Sequence, residues 1–340
     1  MSEGINVQRK DFLAEPVRHI RLKPRMTVNE LINQYSMSGC FGAGRLATAC
    51  DIYEKMLRDD GCTIYLGLAG AVVPAGLRTV IADLIRKRMI DVIVSTGANM
   101  IHDFIEAIGG HHYKGHWFVD DYLLYKYHIY RIYDIFVPEE DFIKADEKFV
   151  QYFEEIAKEY KDRSLATHEL AWELGKRLND PNSILRAAYE MKTPIFMPAA
   201  RDCEFSYAFY LHSQRVKPEE TLKVDSFKEV PIFIDIFRRS ERNGMIIIGG
   251  GVPRNTIQHA AVTARKGIDY AIIITMDRPE TGGLSGSTLE ETISWGKVKR
   301  KASKIMVTGE AVMVFPIIVA SVMERLGENF HREQHPKGGI

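Results

Sequence analysis

The sequence has no excess of charge of either sign and no hydrophobic run long enough to cross a membrane. Its 340 residues include 45 Lys and Arg against 45 Asp and Glu. Proteins that bind nucleic acids or membrane surfaces usually carry a basic excess. The longest apolar run, 311–323, has 13 residues and contains Pro316, whereas a membrane span needs about 20. The sequence therefore predicts neither a nucleic-acid partner nor a membrane partner.

Cysteine is scarce, and its spacing excludes the usual cysteine-based sites. Cys40, Cys50, Cys62 and Cys203 are far apart and form no C-x-x-C pair, so neither a zinc knuckle nor a redox-active pair is indicated. The N-terminus also has no apolar segment of the kind found in secretion signals. We therefore predict reduced thiols in a cytoplasmic protein.

Several catalytic signatures are missing as well. The sequence contains no P-loop and no G-x-S-x-G motif, which removes support for a nucleotide triphosphatase or a serine hydrolase. Histidines cluster between His102 and His116, but the H-E-x-x-H spacing of a zinc enzyme is absent. We predict no metal site and expect these histidines to lie in the core or in hydrogen-bonded loops.

What the sequence does have is a regular alternation of short apolar runs and helical patterns. The apolar runs have the length and composition of buried strands. About six strands are predicted, at 63–68, 91–95, 194–197, 245–248, 270–274 and 304–307. Because helical patterns lie between these strands, we predict a doubly wound α/β fold with a mainly parallel sheet covered by helices on both faces.

The pattern also divides the chain. A helix is predicted to start after Thr27, since Thr27 and Glu30 have the spacing of a capping box. We predict an N-terminal arm at 1–26, a single α/β domain at 27–330 and a tail at 331–340. Residues 111–137 are predicted to be irregular apart from a candidate strand near 129–136, and a long loop is predicted at 276–291.

Ligands of doubly wound folds bind beyond the carboxyl ends of the strands, and three such places stand out. The first is 95–99. The second is the run Gly249, Gly250 and Gly251, where backbone N–H groups could approach a pyrophosphate; a tight strand-to-helix turn is the alternative. The third is the loop after Thr275, which ends with Trp295 and Lys297. These two side chains are compatible with a bound cation or with imine chemistry, but also with an ordinary surface lysine.

Taken together, these segments resemble the deoxyhypusine synthase family. The resemblance is most specific in Ser294-Trp295-Gly296-Lys297, followed 17 residues later by Val314-Phe315-Pro316. It covers roughly residues 30–325. Further matching segments are 249–252, 267–271, Ser285-Gly286, Glu291, Gly67, 76–78, 89–94 and Asp103.

The resemblance implies a Rossmann-like domain, NAD as cofactor and a homotetramer with active sites at subunit interfaces. The implied reaction takes the butylamine part of spermidine. NAD accepts a hydride from a carbon next to a spermidine nitrogen, and the resulting imine passes to an enzyme lysine with release of diaminopropane. An acceptor amine then displaces that lysine, and the hydride returns. In the family the acceptor is a lysine of a translation factor.

The resemblance also implies roles for individual residues. Lys297 matches the imine-forming lysine, and Asn255 stands where the family has a histidine that assists proton transfer. The implied substrate-binding residues are Trp295, Glu291, Asp202, His102 and His259. The implied cofactor-binding residues are Thr96, Gly97, Asp103, Gly249, Gly250, Gly282, Ser285 and Glu310.

Four positions depart from the family pattern. Asn255 cannot accept a proton as a general base, and His102 replaces a glutamate. Leu284 replaces a polyamine-binding aspartate, and the segment 69–71 replaces a Thr-Ser-Asn cofactor contact. The predicted pocket is therefore less acidic than that of the family. A protein lysine is the default acceptor, and a free diamine, as in homospermidine synthases, is the alternative. A third hypothesis is an inactive NAD-binding homologue, although retention of Lys297 argues against it.

Overall fold

The computed structural model describes residues 9–328 and 330–332. The strands are β1 (Cys62–Leu68), β2 (Val92–Ser95), β3 (Tyr113–Lys114), β4 (Ile129–Ile132), β5 (Ile135–Pro138), β6 (Ile195–Phe196), β7 (Arg242–Ile248), β8 (Ile268–Thr275) and β9 (Val298–Thr308). The helices are α1 (Arg9–Phe12), α2 (Val28–Ser38), α3 (Phe41–Arg58), α4 (Arg78–Arg86), α5 (Gly97–Ala107), α6 (Asp121–Lys126), α7 (Glu139–Glu159), α8 (Thr167–Lys176), α9 (Ile184–Met191), α10 (Phe205–Arg215), α11 (Glu229–Arg239), α12 (Gly251–Thr263), α13 (Leu289–Ser294) and α14 (Ala311–Leu326).

Six strands form one parallel sheet in the order β6-β2-β1-β7-β8-β9. If these six strands alone are counted along the chain, the order is 3-2-1-4-5-6, which is that of dinucleotide-binding folds. The chain adds strands outward from β1 on one side and then outward from β7 on the other. The predicted α/β fold is confirmed, and the point where the order reverses lies between β1 and β7.

The sheet is buried on both faces because its inner strands β1, β2, β7 and β8 are mostly apolar, whereas the edge strand β9 is polar in its first half. Alternate side chains point to opposite faces, so Leu66 joins one core while its neighbour Tyr65 joins the other. Helices α3, α4, α5, α9 and α14 pack on the first face, which we call the α5 face. Helices α11, α12 and α13 pack on the second, which we call the α12 face.

The capping box predicted at the first long helix is present. The Thr27 hydroxyl accepts a hydrogen bond from the Glu30 amide at 3.2 Å, and the Glu30 carboxylate accepts one from the Thr27 amide at 2.9 Å. Helix α2 ends at Gly39, which has the left-handed φ of 66° and donates to the Tyr35 carbonyl. This local pattern therefore sets both ends of the helix.

Two predictions about irregular segments are wrong. Residues 111–137 contain a small antiparallel sheet, β3-β5-β4, and the short helix α6. The candidate strand near 129–136 is in fact the hairpin of β4 and β5, which turns at Tyr133 with φ of 55°. The predicted loop at 276–291 ends in α13, whose first turn is capped by the Thr288 hydroxyl. The T-x-x-E spacing of Thr288 and Glu291 was the available signal for this helix.

The start of the last strand is also earlier than predicted. The apolar run indicated 304–307, but β9 begins at Val298, directly after Lys297. Polar residues in the first half of β9 hide it from a search for apolar runs. Lys297 consequently lies directly before the first residue of β9, and not at the end of an unpaired loop.

The predicted division of the chain into arm, domain and tail stays a prediction, and residues 1–8 and 333–340 of the arm and tail lie outside the described residues. Among the helices that the structure describes, none combines the length and the apolar character needed to span a bilayer. All four cysteines are unpaired.

Candidate functional site

The carboxyl ends of five strands are tied together by a row of backbone hydrogen bonds. The amide of Thr96 donates to Leu68, and the amide of Ala69 to Ile248, at 3.2 and 3.0 Å. The amide of Gly249 donates to Ile274 at 2.8 Å, and that of Gly309 to Thr275 at 3.2 Å. Three of the predicted cofactor residues, Thr96, Gly249 and Glu310, therefore lie along this edge, after β2, β7 and β9.

The glycine run after β7 makes a close approach that a side chain would prevent. Gly249 and Gly251 have left-handed φ values of 75° and 59°. A Cβ atom on Gly250 would lie 2.4 Å from the Cα of Ser285. The turn leads into α12, whose first backbone N–H groups have no partner within the helix. Gly250 and Ser285, two predicted cofactor residues, are thus in contact.

A buried arginine fastens the turn at 284–287 to the first turn of α12. Arg254 is fully buried, and its guanidinium donates to the carbonyls of Leu284 and Ser287 at 2.8 and 2.9 Å. Asp277 organises the same loop by accepting hydrogen bonds from the hydroxyls of Ser285 and Thr281. Within the described residues, no carboxylate oxygen lies within 4.0 Å of the Arg254 guanidinium.

Lys297 is a buried amine beside an indole. Its side chain is buried, and Nζ lies 5.3 Å from the centre of the Trp295 ring. The Lys297 carbonyl accepts from Ile268 at 3.1 Å, which holds its backbone at the amino end of β8. Burial lowers the pKa of Lys297, the charge of Arg254 lowers it further, and Glu291 acts in the opposite direction. These conditions favour the neutral, nucleophilic form of the amine.

Two other predicted residues lie on α12. Asn255 is half-buried and His259 is exposed, and their spacing places them on the same face of the helix, one turn apart. Glu291 is exposed on α13. Together with Lys297 and Trp295, these residues form what we call the α12 group.

Five other predicted residues lie on the α5 face or at its edge. Thr96 caps α5, and a Cβ on Gly97 would lie 2.4 Å from the Cys203 sulfur. Asp202, next to Cys203, lines a cavity at the carboxyl end of β6. The Glu310 carboxylate accepts from the amides of Val312 and Met313 in the first turn of α14, at 2.7 and 2.9 Å. Thr96, Gly97, His102, Asp202 and Glu310 are what we call the α5 group.

The predicted substrate contact of His102 stays a prediction, and the structure shows how the ring is held. His102 is buried, and its Nδ1 lies 2.9 Å from His112 Nε2, while His112 Nδ1 lies 2.7 Å from Glu106. Burial, and then His112, lower the pKa of His102 to about 4. The ring is therefore neutral near pH 7 and is held in a chain of side chains. It neither attracts nor repels a cation by charge.

The predicted cofactor role of Asp103 is not supported by its environment. Asp103 has no exposed surface, and its carboxylate accepts from Arg78 at 2.7 Å. It also accepts from the Ser183 hydroxyl and from the amides of Ile184 and Leu185, at 2.8 to 2.9 Å. These bonds use its acceptor capacity and attach the start of α9 to α5. Asp103 is a scaffold residue.

The α12 group and the α5 group lie on opposite faces of the sheet. Lys297 is bonded to Ile268 at the amino end of β8, whereas Glu310 follows the other end of the paired strand β9. The eight residues of β8 span about 23 Å at about 3.3 Å per step. A single chain therefore does not bring the two groups to one another. Within the α5 group, Glu310 is also distant from Thr96, because β9 and β2 are four strands apart in the sheet, about 19 Å at about 4.8 Å per strand.

Comparisons with known proteins identify a family. The family model described as deoxyhypusine synthase matches residues 30–322. "Probable deoxyhypusine synthase 1" of Methanosarcina mazei is 43% identical over 317 residues, which cover 93% of this chain and 97% of that protein. "Probable deoxyhypusine synthase 2" of Archaeoglobus fulgidus is 40% identical over 304 residues, covering 87% and 97%.

A solved structure supports the fold independently. It is the crystal structure of an Entamoeba histolytica protein whose name assigns it provisionally to the deoxyhypusine synthases. It superposes with a TM-score of 0.66 over 94% of this chain and 99% of that chain, at 20% identity.

The scaffold role of Asp103 predicts a stability defect. Asp103→Asn should lower the free energy of unfolding by about 3 kcal/mol, because it leaves the buried Arg78 and two amides poorly paired. Urea unfolding measures this. The exposed Asp83 on α4 provides the matched control, and Asp83→Asn should change stability by about 0.5 kcal/mol or less. Equal stability of the two variants would contradict the assignment.

The position of Arg254 predicts a change in the titration of Lys297. Arg254→Met removes the nearby positive charge, so the pKa of Lys297 should rise and its reaction with an acylating reagent should move to higher pH. Arg254→Lys keeps the charge and should keep the profile. Peptide mass spectrometry across pH measures the modification, with Lys299 in the same digest as reference. An unchanged profile in Arg254→Met would refute the electrostatic role.

Proposed function

The chain belongs to the deoxyhypusine synthase family, and from this we propose that it is an NAD-dependent aminobutyl transferase. It takes the butylamine group of spermidine through an imine on Lys297 and passes that group to an acceptor amine. The observation that carries the proposal is the environment of Lys297: a buried amine with a lowered pKa, an indole face at 5.3 Å and a neighbouring buried guanidinium.

The residues at the carboxyl edge fit a dinucleotide. The strand order places a crevice at the switch point, and the crowding of Gly250 against Ser285 leaves room only for backbone there. Gly250 and Gly251 would hold the pyrophosphate with N–H groups at the start of α12, whereas the Gly249 N–H is already bonded to Ile274. Thr96 and Glu310 lie on the same edge, after β2 and β9. When bound, NAD would accept a hydride from the carbon next to a spermidine nitrogen and return it at the end.

Lys297 performs the transfer itself. Its neutral Nζ attacks the carbon of the substrate imine, the bond from that carbon to the diaminopropane nitrogen breaks, and diaminopropane leaves with the electron pair and a proton. The butylamine group is then an imine of Lys297. An acceptor amine displaces Lys297 by the same exchange, which frees the lysine for another cycle. The Trp295 face provides a surface for the cationic end of the chain.

A site shared between subunits explains why the predicted residues lie on opposite faces of the sheet. The α12 group of one subunit can meet the α5 group of a second only if the two chains associate face to face. We propose a homotetramer containing such pairs, consistent with oligomers built from twofold interfaces. A cytoplasmic location remains a prediction from the sequence.

The acceptor is proposed to be a protein lysine, with a free diamine as the alternative. Incubation with NAD and spermidine, together with either putrescine or a hypusine-type acceptor protein, separates the two by mass spectrometry. A mass gain on the acceptor lysine supports the first, and homospermidine without protein modification supports the second. Neither product from an otherwise folded, NAD-binding protein would indicate an inactive homologue.

The role of Lys297 is tested by trapping. Incubation with NAD and labelled spermidine, followed by borohydride, should attach label to the wild-type chain at Lys297. Lys297→Arg should abolish the label, because a guanidinium is too basic to form the imine. Lys299→Arg, two residues further along and exposed, is the matched control and should label like the wild type. Undiminished labelling of Lys297→Arg would overturn the assignment.

The shared site is tested by complementation. Lys297→Ala alters the α12 group, and Asp202→Arg alters the exposed edge of the α5 group; each homo-oligomer should be inactive. Co-expressed chains should recover roughly a quarter of wild-type activity, since half of randomly formed pairs are mixed and each mixed pair has one intact site of two. Sites contained within single chains would give no recovery of activity. A monomeric mass by light scattering would also contradict the shared site.

A further inference from the structure

Two carboxyl groups that the function has not used lie on α7 and at the start of α10, which pack against each other on the α5 face. Asp146, in the second turn of α7, is 6% exposed, and its Oδ1 is enclosed with no hydrogen-bond partner. Glu204, directly before α10, is half-buried. Within 9–328 and 330–332, neither side chain forms a hydrogen bond or an ion pair. Buried carboxyl groups in native proteins are normally paired, so this pair requires an explanation.

The electrostatics show that the two groups and their neighbours are all acidic. Burial, and then the charge of Glu204, raise the pKa of Asp146 to about 7. Burial also raises the pKa of Glu204. The phenol of Tyr130 lies close by: its bond to Glu139 comes first among the causes that raise its pKa to about 12, and the charges of Glu204 and Asp146 contribute. Among the described residues, no cation contributes to the shift of either carboxyl group.

The pair borders the α5 group. Glu204 follows Asp202 and Cys203, and the Cys203 sulfur lies against Gly97 at the start of α5. One turn before Asp146 on α7, the Phe142 ring packs against the His102 ring with centroids 6.0 Å apart. The acids therefore adjoin the half of the site that lies across the sheet from Lys297.

We propose that Asp146 and Glu204 form a binding site for a primary ammonium group at the end of an alkyl diamine or polyamine. The identity of the amine rests on the proposed function. An alkylammonium has three N–H donors and no acceptor, which matches two carboxylates that accept no hydrogen bond from the described residues. The Phe142 ring offers an apolar surface for the adjoining methylenes.

A divalent metal fits less well. Calcium takes six to eight oxygen ligands and magnesium requires near-octahedral coordination. In the part of the chain that the structure describes, no three or more His, Cys, Asp or Glu side chains are grouped as a metal site would need. The family pattern has a polyamine-binding aspartate where this chain has Leu284. In the proposed site, Asp146 and Glu204 would supply carboxyl groups in its place.

Amine binding to the full chain tests the site without requiring turnover. The probes are putrescine and its uncharged analogue 1,4-butanediol at pH 8, followed by thermal unfolding and calorimetric titration. Putrescine should raise the unfolding temperature of the wild type, and butanediol should not. Asp146→Asn and Glu204→Gln should each weaken putrescine binding at least tenfold. Glu147→Gln, exposed on the same helix, is the matched control and should bind like the wild type.

A second readout separates a binding role from a structural one. In the absence of amine, Asp146→Asn should unfold at the same or a higher temperature than the wild type, because it removes an uncompensated buried carboxyl. Because the pKa of Asp146 is raised, ionising it lowers the free energy of unfolding fully above pH 7 and not at all below the pKa of the unfolded chain, near 4. The increase in unfolding temperature caused by Asp146→Asn should therefore be larger at pH 8 than at pH 5. A structural role predicts a loss at both pH values.

Several outcomes would overturn the proposal: wild-type affinity for putrescine in both variants, no putrescine binding by the wild type, equal protection by butanediol, or protection by magnesium or calcium but not by putrescine. Glu204→Gln, at a half-buried position, provides the answer if Asp146→Asn does not fold. If no label is trapped on Lys297 although putrescine binds, the proposed transferase is overturned and this site is not. If label is trapped but both variants bind putrescine like the wild type, only this site is overturned.

Discussion

The parallel pairing of β1 with β7 is the constraint on which the rest of the structure depends. Seven consecutive residues of each strand are in register, from Cys62 opposite Arg242 to Leu68 opposite Ile248. This pair joins strands that are 180 residues apart and reverses the direction in which the sheet grows. The reversal opens the crevice at the carboxyl edge, and it places the glycine turn after β7 directly beside Ala69.

Buried charge is treated differently in the scaffold and in the candidate sites. Asp103, which joins α5 to α9, is matched by a guanidinium, a hydroxyl and two amides. Arg254 is bonded only to neutral oxygens, and Asp146 forms no hydrogen bond within the residues described. A matched charge stabilises one arrangement of the chain, whereas an unmatched one raises or lowers nearby pKa values and attracts a ligand of opposite charge. This contrast separates residues that hold the fold from residues available for chemistry.

The predicted site residues are divided between the two faces of the sheet. Lys297 and Trp295 lie beside α13 on the α12 face, while Thr96, Asp202 and the Asp146–Glu204 pair lie on the α5 face or at its edge. A transfer reaction needs the amine, the hydride acceptor and the substrate cation within contact distance. In the homotetramer that we propose, a second subunit meets that requirement, so the proposed catalysis and the proposed assembly depend on one interface.

Local patterns in the sequence were sufficient for the alternation of strands and helices, the α2 capping box and the family, because periodicity, capping and short motifs act over a few residues. They were also sufficient to single out Lys297 and the glycine run. They failed at the polar half of β9, where pairing with β8 decides the structure. Helix α13 was missed although the T-x-x-E spacing of Thr288 and Glu291 indicates its start. Local patterns could not reveal that the Asp103 carboxylate is bonded to the start of α9, that His102 is held by His112, or that Asp146 Oδ1 is enclosed without a partner among the described residues. Those facts depend on contacts between residues that are distant in the chain, and only the folded backbone brings such residues together.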